Sequence, residues 1–122
     1  MGRDGRYSVT QADIDNLVAN ELENVRFTVH PVYNPQITKD GKTVAEYYQW
    51  GDFKRITKIE IGRQSVSTKK YLLDTLVHEE LEARIMSGKN RFYRELMQRN
   101  VDAEIHGHIY TVIEKYFTMK GW

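Results

Sequence analysis

A chain of 122 residues, 40% hydrophobic and 29% charged, has material for one compact core and too little for two. Its formal net charge of +1 argues against a globally basic nucleic-acid binder, and without cysteine there is neither a disulfide framework nor a thiolate metal site, so any metal must be held by His, Asp, Glu or backbone oxygen. No apolar stretch reaches the length of a membrane span, and the polar start Met1-Gly2-Arg3-Asp4-Gly5-Arg6 lacks the apolar core of a signal peptide. We therefore expect a single domain over 1–122, with residues 1–8 as a flexible linker-like segment.

Thr10 is a good N-cap with Asp13 three residues on, and Val9 and Ile14 occupy staple positions around it, which predicts a helix from about Gln11 to Leu22. Ile14, Leu17, Val18 and Leu22 form its apolar stripe. Val25, Phe27 and Val29 alternate with polar residues, the period of a half-buried strand ending near His30-Pro31. Asp40-Gly41 is a turn signal between Val32–Thr38 and Thr43–Trp50, which predicts a hairpin; Gly51-Asp52 is a second, leading into Phe53–Ile61. The sum is a small antiparallel sheet of three or four strands.

Ser67 is the expected cap of the next helix, with Val66 and Tyr71 as its staple pair, and that helix runs to about Met86. Ser87-Gly88-Lys89 breaks it and Asn90 can cap a further helix, Arg91–Arg99. A last helix spans about Asp102 to Thr118, separate from the third or continuous with it. The fold class is thus α+β: an N-terminal helix, a small sheet and a C-terminal helical layer.

The chemistry gathers at His78-Glu79-Glu80-Leu81-Glu82. Apolar residues on more than one side of this helix, Leu73, Leu76 and Val77 on one and Tyr71 and Ile85 on another, predict that it is central and largely buried. Buried glutamates must be paired, protonated or bound to a cation. Glu80 reads as an ordinary ion pair with Arg84, four residues on. His78 and Glu82, one turn apart, can both ligate a metal while Glu79 activates its bound water. A satisfied structural pair is the competing reading.

On the last helix the expected stripe is Val101, Ile105, Ile109, Val112 and Tyr116, with His108 and Glu104 on one margin and His106 and Asp102 on the other. One of His106 and His108 should meet His78; His108 is the first choice, because Ile105, Val112 and Glu104 are its helical neighbours. His30, at a strand end, reads as structural. Gly107 inside a helix costs roughly 1 kcal/mol against alanine, which close approach of a backbone or ligand would explain. Arg84, Lys89, Arg91, Arg94 and Arg99, interleaved with Phe92 and Tyr93, make a local basic segment suited either to phosphate contact and base stacking or to a solvated helix face. Arg84, Lys89 and Arg91 are the candidate substrate-binding residues.

Thr75-Leu76-Val77-His78-Glu79 resembles the active helix of zincin metallopeptidases, with Glu82 standing where that family has a second histidine. The resemblance implies a zinc cofactor held by His78, Glu82 and His108 with Glu79 as base, or Glu104 in the place of the family's later glutamate. The arrangement of His78 to Glu82 followed by His106 or His108 is also similar to C-terminal toxin domains of bacterial polymorphic and contact-dependent inhibition systems. That similarity implies a hydrolytic toxin used in bacterial competition. It would be an RNA-cleaving nuclease with His78 and His106 or His108 as acid and base and Glu79 or Glu82 orienting them. It further implies RNA as substrate, a cognate immunity protein as partner, and delivery into the cytoplasm of a target cell as part of a larger secreted protein. A non-enzymatic binding or phage-associated module, with the His/Glu cluster as a buried polar network, is the reading outside the enzymes.

Overall fold

The computed structural model describes residues 9–47, 53–62 and 68–122. Within these, four helices and a three-stranded sheet form an α+β fold: α1 (Gln11–Asn20), β1 (Val32–Tyr33), β2 (Gly41–Tyr47), β3 (Lys54–Ile61), α2 (Lys69–Met86), α3 (Arg91–Arg99) and α4 (Asp102–Lys120). Residues 1–8, the Gly51-Asp52 turn, and Val66 and Ser67 lie outside the described residues.

The helices form where capping chemistry and periodicity agree. Thr10 Oγ1 accepts from the Asp13 backbone N–H at 3.1 Å and donates to the Asp13 carboxylate at 2.9 Å, while Val9 and Ile14 are both buried beside it. α1 ends two residues before Leu22, yet Leu22 stays in the core because its N–H donates to the Leu17 carbonyl at 3.0 Å. The cap of α2 is Thr68, one residue after the expected Ser67; its Oγ1 accepts from the Tyr71 N–H at 3.0 Å. Asn90 caps α3 in the same way, and Asn100, left-handed at φ 51°, ends it, so α3 and α4 are separate helices. Gly88 (φ +62°) makes the break between α2 and α3, as expected.

The sheet differs from the expectation in two places. It is mixed, in the order β1-β3-β2: β2 pairs antiparallel with β3, but β1 pairs parallel with β3, Val32 opposite Glu60 and Tyr33 opposite Ile61. The hairpin across Asp40-Gly41 therefore does not form. After β1 the chain crosses the end of β3 at Gly62, whose N–H donates to the Asp40 carbonyl at 2.8 Å. A Cβ at position 62 would lie 2.0 Å from the Lys39 carbonyl oxygen and 2.8 Å from Ile37 Cγ1, so only glycine admits the crossing.

The second difference is Val25–Val29, which alternates as read but joins no strand. The Thr28 N–H and Oγ1 donate to the two carboxylate oxygens of Glu80 at 2.7 and 2.8 Å, and Arg84 Nη2 donates to the Arg26 carbonyl at 2.7 Å. Side chains of α2 supply the partners that a neighbouring strand would have supplied. Glu80 is thus a buried clamp, also accepting from Arg84 Nε at 2.7 Å, and not an ordinary surface pair.

α2 lies at the centre, touching β2, β3, α3 and α4, and buries Leu72, Leu73, Leu76, Val77, Leu81 and Ile85. Ile56, Ile59 and Ile61 meet it from the sheet; the irregular register at Val44/Ala45 shifts the inward phase of β3, so that Ile56 and Ile59, three apart, both face the core. On α4 the buried line is Ile109, Ile113 and Phe117, with Ile105, Val112 and Tyr116 at its margin and Val101 exposed. The helix is rotated relative to the expected stripe, and that rotation decides which histidine faces α2.

Candidate active site

Asp74, His78 and Glu82 recur every fourth residue on α2 and so share one face, with Tyr71, Thr75 and Glu79 beside them. This face, residues 39–43 and Tyr110 of α4 enclose a cleft of about 680 Å³. His78 Nε2 stands 3.6 Å from Glu82 Oε2. Two donors on one tetrahedral divalent ion, each at 2.0–2.1 Å, are roughly 3.4 Å apart, so this pair is already within a few tenths of an ångström of ligating spacing. Ligand atoms of His78, Glu79 and Glu82 all lie within 4.8 Å of one another.

Glu79 is the buried member, 6% exposed. β2 begins directly over it: a Cβ on Gly41 would fall 2.9 Å from Glu79 Cγ and 3.1 Å from Cδ. Thr43 Oγ1 is 3.2 Å from Glu79 Oε1 and 3.3 Å from the Glu79 carbonyl, with one proton to give to either. Burial, helped by the charges of Glu82 and Asp40 and opposed by Thr43 and Lys39, pushes the Glu79 carboxyl up to about 7. Asp74 is also pushed up, first by burial and also by Asp40, against the pull of His78 and Lys70. Tyr71 donates its hydroxyl proton to Asp40; that bond, burial and the nearby carboxylates raise it to about 12, so it stays a donor.

The rotation of α4 brings His106, not His108, to His78. Their rings stack at 5.9 Å with planes 26° apart, and Tyr110 lies 6.0 Å from His78 and 6.4 Å from His106. His106 Nδ1 is 3.1 Å from Asp102 Oδ2, one turn earlier. His108 turns to the other flank and packs edge-on against Phe92 at 4.9 Å and Tyr93 at 5.5 Å. Its Nε2 is buried without a hydrogen-bond partner among the described residues, and burial, with Lys115, pulls its pKa down. Glu104 is held by Arg99 Nε at 2.7 Å. His108 and Glu104, the histidine favoured in sequence and the glutamate of the zincin comparison, therefore belong to the α3 side.

The other sequence expectations separate in the same way. Arg84 is committed to Glu80 and Arg26; Arg91 pairs with Glu95 at 3.4 Å on the surface; neither these nor Lys89 lines the cleft. Among the described residues, the cations that line it are Lys39 and Lys42. His30 pairs with Asp15 on the surface, the structural role expected of it. Among the described residues nothing stands within 4 Å of a Cβ on Gly107, so no backbone among them makes the close approach expected there. Sequence reasoning missed Asp74, Asp40, Lys39 and Tyr110. Only Asp74 has a signal in the sequence, its four-residue spacing before His78; Asp40 reads there as part of a turn and Lys39 as the residue before it.

Among the described residues no helix is long and apolar enough to cross a membrane. Comparison with known proteins gives no match to any family profile, curated protein or solved structure.

Proposed function

We propose that the domain is a metal-dependent hydrolase of peptide bonds, built on His78, Glu79 and Glu82. The observation that carries this reading is the 3.6 Å spacing of His78 Nε2 and Glu82 Oε2, with the Glu79 carboxylate at the same point of the cleft. Such a donor set suits zinc, which when bound polarises a carbonyl and acidifies water. Glu79 takes the proton of the attacking water and passes it to the leaving amine, a task for which its place beside the His78 and Glu82 ligand atoms suits it. Alternatively Glu79 completes the ligand set, and the test below separates the two roles.

The charge of the cleft supports peptide over nucleic acid. Among the described residues that line it, Asp40, Asp74, Glu79 and Glu82 outnumber Lys39 and Lys42, and a polyphosphate backbone needs the opposite balance. The toxin context expected from the sequence similarity is kept as the biological setting of this proposal.

The test is elemental analysis of the purified chain, with peptide and RNA cleavage measured on the same samples. We expect near one zinc per chain, lost in His78→Ala, and peptide cleavage abolished by chelator. If Glu79→Gln retains zinc and loses cleavage it is the base; if it loses zinc it is a ligand. Expression in a bacterial cytoplasm should arrest growth, and Glu79→Gln should relieve the arrest. RNA cleavage that survives chelation would overturn the proposal.

A further inference from the structure

A second cavity, about 340 Å³, runs between α2 and α4 and shares two walls, Asp74 and Tyr110, with the cleft at His78. Its apolar lining is Tyr110, Ile113, Phe117 and Trp122, and Lys70, Glu114 and Thr118 line it as well. Ile113 and Phe117 are buried and form its floor; Tyr110 is 61% exposed. Trp122 closes the far end, edge-on to Phe117 at 5.2 Å. The two helices run antiparallel here, since His78 meets His106 while Lys70 Nζ lies 6.0 Å from the Phe117 ring.

From this continuity, and resting on the peptidase reading above, we infer that the α2–α4 groove is a specificity subsite that takes a large apolar or aromatic side chain of the substrate. An apolar floor between Tyr110 and Trp122 is complementary to such a side chain, with the charges of Lys70 and Glu114 left to its edges, while the shared Asp74 and Tyr110 give an extended chain an unbroken path from the reacting bond. Lys70 and His78 are eight positions apart on one helix face, a rise of about 12 Å. An extended chain advances about 3.3 Å per residue, so the groove meets a side chain roughly two to four residues from the cleaved bond, on one side only.

Thr118 lines the groove and is exposed, so Thr118→Trp fills the groove from its open edge without disturbing the core; Trp122→Ala removes its end wall. The zinc-supplemented full chain is given a peptide library and the cut sites are read by mass spectrometry. The wild type should enrich Phe, Tyr, Trp or Leu at one position two to four residues from the cut. Both variants should cleave peptides carrying such a residue about tenfold more slowly, the effect of leaving one large apolar side chain unburied. Thr118→Trp should still cleave peptides with alanine there.

N-acetyl-phenylalaninamide binding to Glu79→Gln protein, followed by NMR, gives a readout without turnover. Binding blocked by Thr118→Trp supports the groove even where no peptide is cut, and in that case only the peptidase reading fails. Cleavage without positional preference, or a preference unchanged in both variants, overturns the subsite; so does a groove that binds no N-acetyl-phenylalaninamide because a second copy of the chain covers it.

Discussion

At the residue scale, Glu79 makes the metal-free protein sensitive to pH in a definite direction. Its carboxyl sits at about 7 in the fold against 4.5 for the free group, so the native state holds the proton more tightly than the unfolded chain does. That contribution is complete below about pH 4.5 and is lost as the pH rises through about 7. A shift of this size corresponds to about 3 kcal/mol, so in chelator Glu79→Gln should become more stable than the wild type as the pH passes from 5 to 8. Urea midpoints measured across that range check it; parallel curves for the two proteins would remove Glu79 as a strained, unpaired acid. His106 and His108 give a second contrast. His106→Ala takes away the ring stacked on His78 and should reduce activity with little loss of stability. His108→Leu replaces a ring nitrogen buried without a partner among the described residues, and should leave activity intact and stability equal or higher. Kinetics and denaturation on the two variants decide it; equal loss of activity in both would mean that the α3 flank belongs to the site. Which histidine faces His78 was not legible in sequence, because the two lie on opposite margins of one apolar stripe and a modest rotation of α4 chooses between them.

At the scale of elements, the helices were legible because each carries its own instructions: Thr10 and Asn90 at caps, Gly88 at a break, and a stripe for each face. The central burial of α2 followed from apolar residues on several of its sides. What failed depended on partners distant in sequence. Val25–Val29 has the alternation of a strand, but Glu80 and Arg84, more than fifty positions on, take its hydrogen bonds. Asp40-Gly41 has the composition of a hairpin turn, but Gly62 lets the chain pass over the end of β3, and Gly41 is needed where β2 crosses Glu79. The clamp yields a prediction proper to this scale. Glu80→Ala leaves the Thr28 N–H and hydroxyl and Arg84 Nε without the carboxylate that accepts from them, and should cost about 3–5 kcal/mol. Hydrogen exchange should show opening of the Thr28 amide before the rest of the fold. If Glu80→Ala matches the wild type in stability, segment 25–29 is held by its apolar contacts alone.

At the scale of the whole molecule, a net charge of +1 conceals local differences: among the described residues Arg91, Arg94 and Arg99 stand on α3, while Asp40, Asp74, Glu79 and Glu82 line the cleft beside Lys39 and Lys42. Composition could exclude a globally basic binder but could not show that the basic segment and the histidine centre occupy different places. The consequence is thermodynamic. Asp74 and Glu79 are both raised toward the neutral form by burial and by neighbouring carboxylates, so the folded apo-protein carries repulsion that a divalent cation relieves. A ligand that binds the native state and not the unfolded chain stabilises it by about 2.7 kcal/mol at a hundredfold excess over Kd. Zinc should therefore raise the melting temperature by roughly 10 °C, since each kcal/mol is worth a few degrees in a chain of this size. The increment should shrink at pH 5, where protons compete for Glu79, and should vanish in His78→Ala and Glu82→Ala. Magnesium, which prefers six oxygen donors and retains its waters, should give far less. The same scan separates a metal centre from a polar network: in a network the His78 and Glu82 variants lose stability with or without zinc, and the cation adds nothing.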